Sequence, residues 1–231
     1  MGRLATITRR TFLVGAVALT GGAAFGYYKY RQPFDNPLED DLAEGEATFN
    51  PYVKIGTDNT ITVIAPRAEM GQGIFTTLGA LVAEELDVTL DQIRIEHGPA
   101  SPAYFNTAAL EHGAPYPMFD ESFAAETTRS AMGVMAKFLA LQLTGGSTST
   151  IDHYDKMRLA GAVTREMFKA AAARKLGVPA AKLTTADGQV VDPASGKRLT
   201  YGELALDAAK LTPPSEVKLK DKAEWKILGK S

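Results

Sequence analysis

A chain of 231 residues with 45% hydrophobic and 23% charged side chains has the composition of a folded globular protein, with room for one large domain and an appendage. Lys plus Arg number 25 against 27 Asp plus Glu, a net charge of −2. That balance lacks the basic footprint by which proteins displace counterions from phosphates, so no nucleic-acid partner is expected. Cys is absent, which excludes disulfides, thiolate metal sites, cysteine-ligated iron–sulfur clusters in this chain and cysteine nucleophiles.

Residues 1–31 read as an export leader. Thr8-Arg9-Arg10-Thr11-Phe12-Leu13-Val14 precedes an Ala- and Gly-rich apolar run to about Tyr28, the pattern of the twin-arginine route. That route carries folded proteins, mainly those that acquire a cofactor in the cytoplasm. An ordinary signal-anchor with an accidental Arg pair is the alternative. No small-x-small cleavage site follows the run, and Tyr27, Tyr28, Lys29, Tyr30 and Arg31 suit a membrane–water boundary. The run is short against the ~20 residues a span needs. The expectation is a domain on the periplasmic side of the cytoplasmic membrane, held there by an uncleaved segment. Residues 32–50, with Pro33, Pro37 and six acidic side chains, read as a solvated tether.

The domain proper is expected over residues 51–210. Tyr52–Ile55, the turn Gly56–Asn59 and Thr60–Ile64 predict a β-hairpin. A Gly-rich turn after Pro66 leads into a helix from Ile74 to about Leu86, with Leu78, Leu81, Val82 and Leu86 on one face. Gln92–His97 alternates as a strand, so the order β-β-α-β predicts an α+β layer. Ser101–Asp120 lacks periodicity and reads as a long functional or partner-binding loop. A helix is predicted from Ser122 towards Leu143. A second, long helix is predicted from about Asp152 to Leu176, ended by Gly177 and Pro179. Lys182–Thr185 and Gln189–Asp192 predict a second hairpin. Thr200 with Glu203 forms a capping box for a short helix from Tyr201. Residues 211–231, with Pro213-Pro214 and Trp225, read as a linker towards a further domain.

Two turns carry candidate chemistry. Gly71, Gln72 and Gly73 sit between a strand and a helix, where glycines admit close backbone approach and the Gln amide both donates and accepts. A plain tight turn with an exposed Gln has the same spacing. Gly146, Ser147, Thr148 and Ser149 offer hydroxyls and amides at a helix N-terminus, suited to a phosphate; a flexible Gly/Ser linker would look alike. No Lys follows either glycine pair, so neither is a P-loop, and the six-position dinucleotide fingerprint is absent. His97, His112 and His153 lack metal spacing and read as surface or supporting residues. Glu84-Glu85 reads as a solvated face or as hydrogen-bonded within the fold, and Glu69 as a residue that orients the first turn.

Taken jointly, Glu69-Met70-Gly71-Gln72-Gly73 followed by Leu81-Val82-Ala83-Glu84-Glu85-Leu86-Asp87 resembles the start of a family's large subunit. The family is that of the molybdopterin-binding xanthine dehydrogenases, in the branch of exported isoquinoline oxidoreductases and membrane aldehyde dehydrogenases. Gly145-Gly146-Ser147-Thr148-Ser149, then Arg158–Ala162 and Ala171-Ala172-Ala173, resembles that branch's next block. The resemblance implies a molybdopterin cofactor with molybdenum, in the cytosine dinucleotide form. It implies oxidation of aldehydes or N-heterocycles with water as oxygen source. It places Gly71, Gln72 and Gly73 against the pterin and the metal, and Gly146, Ser147, Thr148 and Ser149 against the phosphate-bearing arm. Iron–sulfur clusters are implied only on a small partner subunit, with a membrane cytochrome as a further partner.

The family's hammerhead-like domain, Gly-Gly-Phe-Gly loop and late glutamate base have no counterpart in these residues, so no catalytic residue is assigned. The expected chain is an incomplete portion of the large subunit, completed by its remainder or by a companion chain. A non-catalytic anchor or assembly module, or an inactive truncation, is the alternative.

Overall fold

A computed structural model describes residues 24–230, and the Arg9-Arg10 pair with the apolar run up to residue 23 lies outside them. The chain divides into a unit ending at Asp35 and one beginning at Asn36. In the first, residues 24–31 are helical. The side chains of Phe25, Tyr27 and Tyr28 are exposed, and the Lys29 ammonium lies 6.0 Å from the Phe25 ring centre. Among the described residues no helix is long and apolar enough to cross a membrane.

The second unit is α+β, as the β-β-α-β order predicts. Its main sheet has the order β1 (Glu46–Asn50), β2 (Val53–Gly56), β3 (Ile61–Ala65), β4 (Ile93–His97). The β2–β3 hairpin pairs Val53 with Val63 and Ile55 with Ile61, and these four side chains are buried. β3 pairs parallel with β4, and parallel neighbours need a crossover. Helix α1 (Ile74–Leu86) supplies it, burying Leu78, Leu81, Val82 and Leu86 as its period predicts. Two glycines bring the layers together. A Cβ at Gly79 would come within 2.6 Å of Ile95 Cδ1, and one at Gly161 within 2.7 Å of the Val82 carbonyl. The second contact is where α4 (Ser149–Leu176) crosses α1, and Gly177 at φ +70° ends α4 as its sequence predicts.

Three features depart from the sequence reading. The expected tether at 32–50 is partly inside the fold: its last five residues are strand β1, with Ala47 and Phe49 buried, and Leu38 is buried too. Asn36 Nδ2 donates to Thr48 Oγ1 at 3.0 Å. The Ala47/Phe49 alternation was hidden among acidic neighbours. The long loop from Ser101 contains a 3-10 turn at Pro102–Tyr104 and helix α2 (Thr107–Glu111), capped by the buried Asn106. Helix α3 (Phe123–Phe138) stops short of Leu143 because Asn106 claims the next segment. The Asn106 N–H donates to Leu141 O at 2.7 Å and its Nδ2 to Leu143 O at 3.2 Å.

The second hairpin forms as β5 (Thr184–Ala186) and β6 (Gln189–Val191), and β7 (Arg198–Thr200) extends it to three strands. The Thr200/Glu203 capping box opens α5 (Tyr201–Ala208). Tyr201 stacks on Phe168 at 4.3 Å and its hydroxyl donates to Leu86 O at 2.7 Å, which fixes α5 to the core.

Candidate functional site

The first turn leaves the buried strand β3 and is organised by Glu69. Its carboxylate accepts the N–H groups of Gly71 at 2.8 Å, Gly73 at 3.1 Å and Phe75 at 3.1 Å. The N–H of Phe75, then that of Gly73, holds the Glu69 carboxyl below the usual carboxylate range. Gly71 at φ +90° and Gly73 at φ +76° lie in the left-handed region, and a Cβ at either would point into open space. Glycine is required here by the backbone and not by crowding. Gln72 closes the turn: its Oε1 accepts from Met70 N at 2.6 Å and its Nε2 donates to Ala68 O at 2.8 Å. One Nε2 hydrogen and one Oε1 lone pair stay available.

The second turn precedes α4. Gly146 at φ +60° and Ser147 at φ +57° carry the chain through consecutive left-handed residues. Thr148 is buried; its hydroxyl donates to Gly145 O at 2.7 Å and accepts from Asn106 Nδ2 at 2.8 Å. The Thr148 hydroxyl therefore shapes the turn from below. No side chain caps the α4 N-terminus, so its leading N–H groups and the positive end of a 28-residue helix dipole face outward.

The fold brings these distant turns together. Ala68 N donates to Thr144 Oγ1 at 2.9 Å, bridging the two segments. Between them opens a cleft of about 380 Å3 lined by Met70, Gln72, Ile74, Thr77, residues 144–147, Ser149 and Thr150. Of the residues singled out in the sequence, Gln72, Gly146, Ser147 and Ser149 line it, Gly71 and Gly73 flank Gln72 without lining it, and Thr148 turns inward. None of the lining residues is titratable. The cleft offers neutral hydroxyls, an amide and backbone N–H groups, a donor set chemically suited to polar or phosphorylated groups and without a titratable side chain.

Beneath the cleft lies a buried charge cluster that sequence reasoning missed. Arg67 Nη2 meets Asp152 Oδ2 at 3.1 Å, with both side chains fully excluded from solvent. Asp152 Oδ1 also accepts Thr107 N and Thr107 Oγ1 at 2.8 and 2.6 Å. Lys156 Nζ lies 2.9 Å from both Asp152 oxygens. The i,i+4 spacing of Asp152 and Lys156 is a local signal; the pairing with Arg67 has none.

His153, expected at the surface or in support, is fully buried. Its Nδ1 is 2.9 Å from Asp152 Oδ2 but without hydrogen-bond geometry, and among the described residues neither ring nitrogen has a hydrogen-bond partner. Burial pushes its pKa from 6.5 down to about 4. His97 stays exposed, with Nδ1 2.7 Å from Gly98 O. Among the described residues no group of three or more acidic, His or Cys side chains could hold a metal ion.

Glu84 and Glu85 are hydrogen-bonded within the fold. Glu84 accepts the N–H groups of Lys226, Ile227 and Leu228. Glu85 accepts Lys220 N and faces Arg158 Nη2 at 2.6 Å and Arg165 Nη1 at 3.3 Å. The segment expected as a linker at 211–231 is thereby strapped to α1 and α4 over residues 218–228.

The fold is α+β, and a polar cleft opens between the two glycine turns. Residues 19–109 match the family described as the molybdopterin cofactor-binding domain. The chain is 31% identical over 198 residues to isoquinoline 1-oxidoreductase subunit beta of Brevundimonas diminuta, covering 86% of this chain and 22% of that protein. It is 30% identical over 242 residues to the membrane-bound aldehyde dehydrogenase (pyrroloquinoline-quinone) of Gluconacetobacter polyoxogenes, covering 97% and 26%.

Among solved structures, the Cu,Mo-CO dehydrogenase aligns with a TM-score of 0.43 at 21% identity, over 70% of this chain and 17% of its own. Quinoline 2-oxidoreductase from Pseudomonas putida 86 aligns with a TM-score of 0.37 at 19% identity, over 71% and 17%. The family match and the two sequence likenesses support a place for the chain in the molybdopterin-binding xanthine dehydrogenase family. It spans about a quarter of the length of the curated relatives it matches.

Proposed function

We propose that this chain supplies one wall of the molybdopterin cradle in a molybdenum-dependent oxidoreductase acting on aldehydes or N-heterocycles. The observation that carries the reading is the single cleft onto which both glycine turns open. The residues present fit the group. The open space at the Cβ positions of Gly71 and Gly73 admits a flat ring system, and Gln72 keeps a free donor and acceptor towards it. Ser147, Ser149 and the uncapped α4 N-terminus suit a phosphate-bearing arm, as expected of the cytosine dinucleotide form. When bound, the cofactor supplies a two-electron oxidation with water as the oxygen source.

This chain's own residues bind and orient. With no titratable side chain lining the cleft, the acid–base group belongs to the remainder of the large subunit or to a companion chain. A small iron–sulfur subunit and a membrane cytochrome complete the assembly we propose. The Arg9-Arg10 leader supports twin-arginine export to the periplasmic side of the membrane, with residues 24–31 at its surface.

The test is metal and cofactor analysis of the native complex. Molybdenum with an extractable pterin nucleotide, near one per chain, is the expected result. Pyrroloquinoline quinone, which stands in the name of one relative, or neither cofactor, would overturn the reading.

A further inference from the structure

The two turns could not face each other unless their roots were held in register, and a buried ion pair occupies that place. Arg67 directly precedes Ala68, whose N–H bridges to Thr144. Asp152 lies in the first turn of α4, just past Ser149 and Thr150. Their side chains meet at 3.1 Å with no solvent access. Arg67 Nη1 also donates to Pro66 O at 2.8 Å and Tyr104 O at 3.0 Å, while Asp152 Oδ1 takes both donors of Thr107. The pair thus ties the end of β3, the turn before α2 and the start of α4 to one point.

Stability alone does not call for such a pair, since apolar residues of similar volume often serve as well in a core. What the ion pair adds is direction. A planar guanidinium bonds its partners at fixed angles, whereas an apolar contact tolerates sliding. A second observation agrees. Among the described residues Arg67 Nε is buried with no hydrogen-bond partner, an unmatched donor that folding would not favour for its own sake.

We propose that Arg67 and Asp152 are positioning residues that fix the separation and register of the two cradle turns. The proposal rests on the cradle reading above for its purpose, and on geometry for its substance.

The experiment compares Arg67→Met, Asp152→Leu, their double variant and Arg67→Lys in the full chain with its co-purifying partners. Melting temperature, amide exchange at Gly71, Gln72 and Gly73, and bound pterin are read on each. Arg67→Met leaves Asp152 with Lys156 as its counter-charge, Asp152→Leu leaves the Arg67 guanidinium without its carboxylate, and each lowers the melting temperature. The double variant recovers part of that loss, because Lys156 and Thr107 still lack the carboxylate, yet its turn amides exchange at least ~10-fold faster, and bound pterin falls by a similar factor. Wild-type exchange and wild-type pterin content in a double variant of partly recovered stability would overturn the proposal.

If the double variant does not fold, Arg67→Lys decides. It keeps the charge without the fork, so faster exchange at an undisturbed melting temperature supports positioning, and unchanged exchange refutes it. A wild-type complex without pterin would sink the cradle reading, while the exchange comparison would still judge the role of the pair.

Discussion

Gln72 bonds to its own turn with both ends of its amide, so a truncation there acts twice. It loosens the closure between Ala68 and Met70, and it removes the remaining donor towards the cleft. A buried partner left unpaired costs about 1–3 kcal/mol. In the assembled enzyme Gln72→Ala is expected to lower turnover by ~10- to 100-fold with molybdenum retained, if that donor serves the transition state more than the ground state. Gly73→Val differs. The position sits at φ +76°, where a residue with a Cβ costs roughly 1–2 kcal/mol and a β-branched one fits worst. The turn would rearrange, and molybdenum content itself should fall. Metal content and aldehyde oxidation on both variants check this; full molybdenum and full rate in both would reduce the turn to a turn.

The elements around the cleft are fastened by two adjacent carboxylates on α1. Glu85 is fully buried between Arg158 and Arg165 and also holds Lys220 N. Glu85→Leu would leave the mostly buried Arg158 guanidinium without its counter-charge and Arg165 with Glu166 alone, for an expected loss of about 3–5 kcal/mol in chemical denaturation. Limited proteolysis should then cut first within residues 211–230, since the strap hangs on these carboxylates. A variant that unfolds like the parent, with an intact tail, would mean the strap is held elsewhere. Some of this was legible beforehand. Periodicity announced α1 and the β2–β3 hairpin, because one buried face per element leaves a local pattern. Helix α4 was legible from its terminators Gly177 and Pro179 and not from a buried face, since Leu159 is exposed while Met157 and Phe168 are buried. The two glycine turns showed as glycines at strand-to-helix and loop-to-helix junctions. β1 was not legible, since Ala47 and Phe49 are two apolar residues in an acidic stretch. The end of α3 was set by Asn106, far off in sequence. The Arg67–Asp152 pair and the Glu84/Glu85 strap likewise join residues whose proximity only the folded chain creates.

For the molecule as a whole, acid should act before any cleft residue does. His153 titrates near 6.5 when unfolded and at about 4 when folded, because burial disfavours its charge. The unfolded chain therefore binds more protons between those values. Stability is complete above 6.5, falls as pH drops towards 4, and loses ~3 kcal/mol at most across that window. Burial pushes the Asp152 carboxyl up, but the Lys156 ammonium and the Thr107 hydrogen bonds outweigh that and hold it well below the usual range, so its contribution is lost only at lower pH. His153→Phe should flatten the slope between pH 6.5 and 4 in urea titrations, and an unchanged slope would place the acid sensitivity elsewhere. The outer surface poses a separate problem. Phe119 and Phe123 are 86% and 85% exposed, with Met118, Met135, Phe138 and Leu139 exposed on and beside α3. Exposed apolar side chains in this number promote association. The unit from Asn36 onward, expressed alone, should self-associate at micromolar concentrations. Burying one Phe contributes about 1.5–3 kcal/mol, so Phe119→Ser with Phe123→Ser should weaken association by ~100-fold or more. Sedimentation equilibrium on both proteins measures this directly, and a parent that stays monomeric across the same range would show that the ridge draws no partner of its own kind.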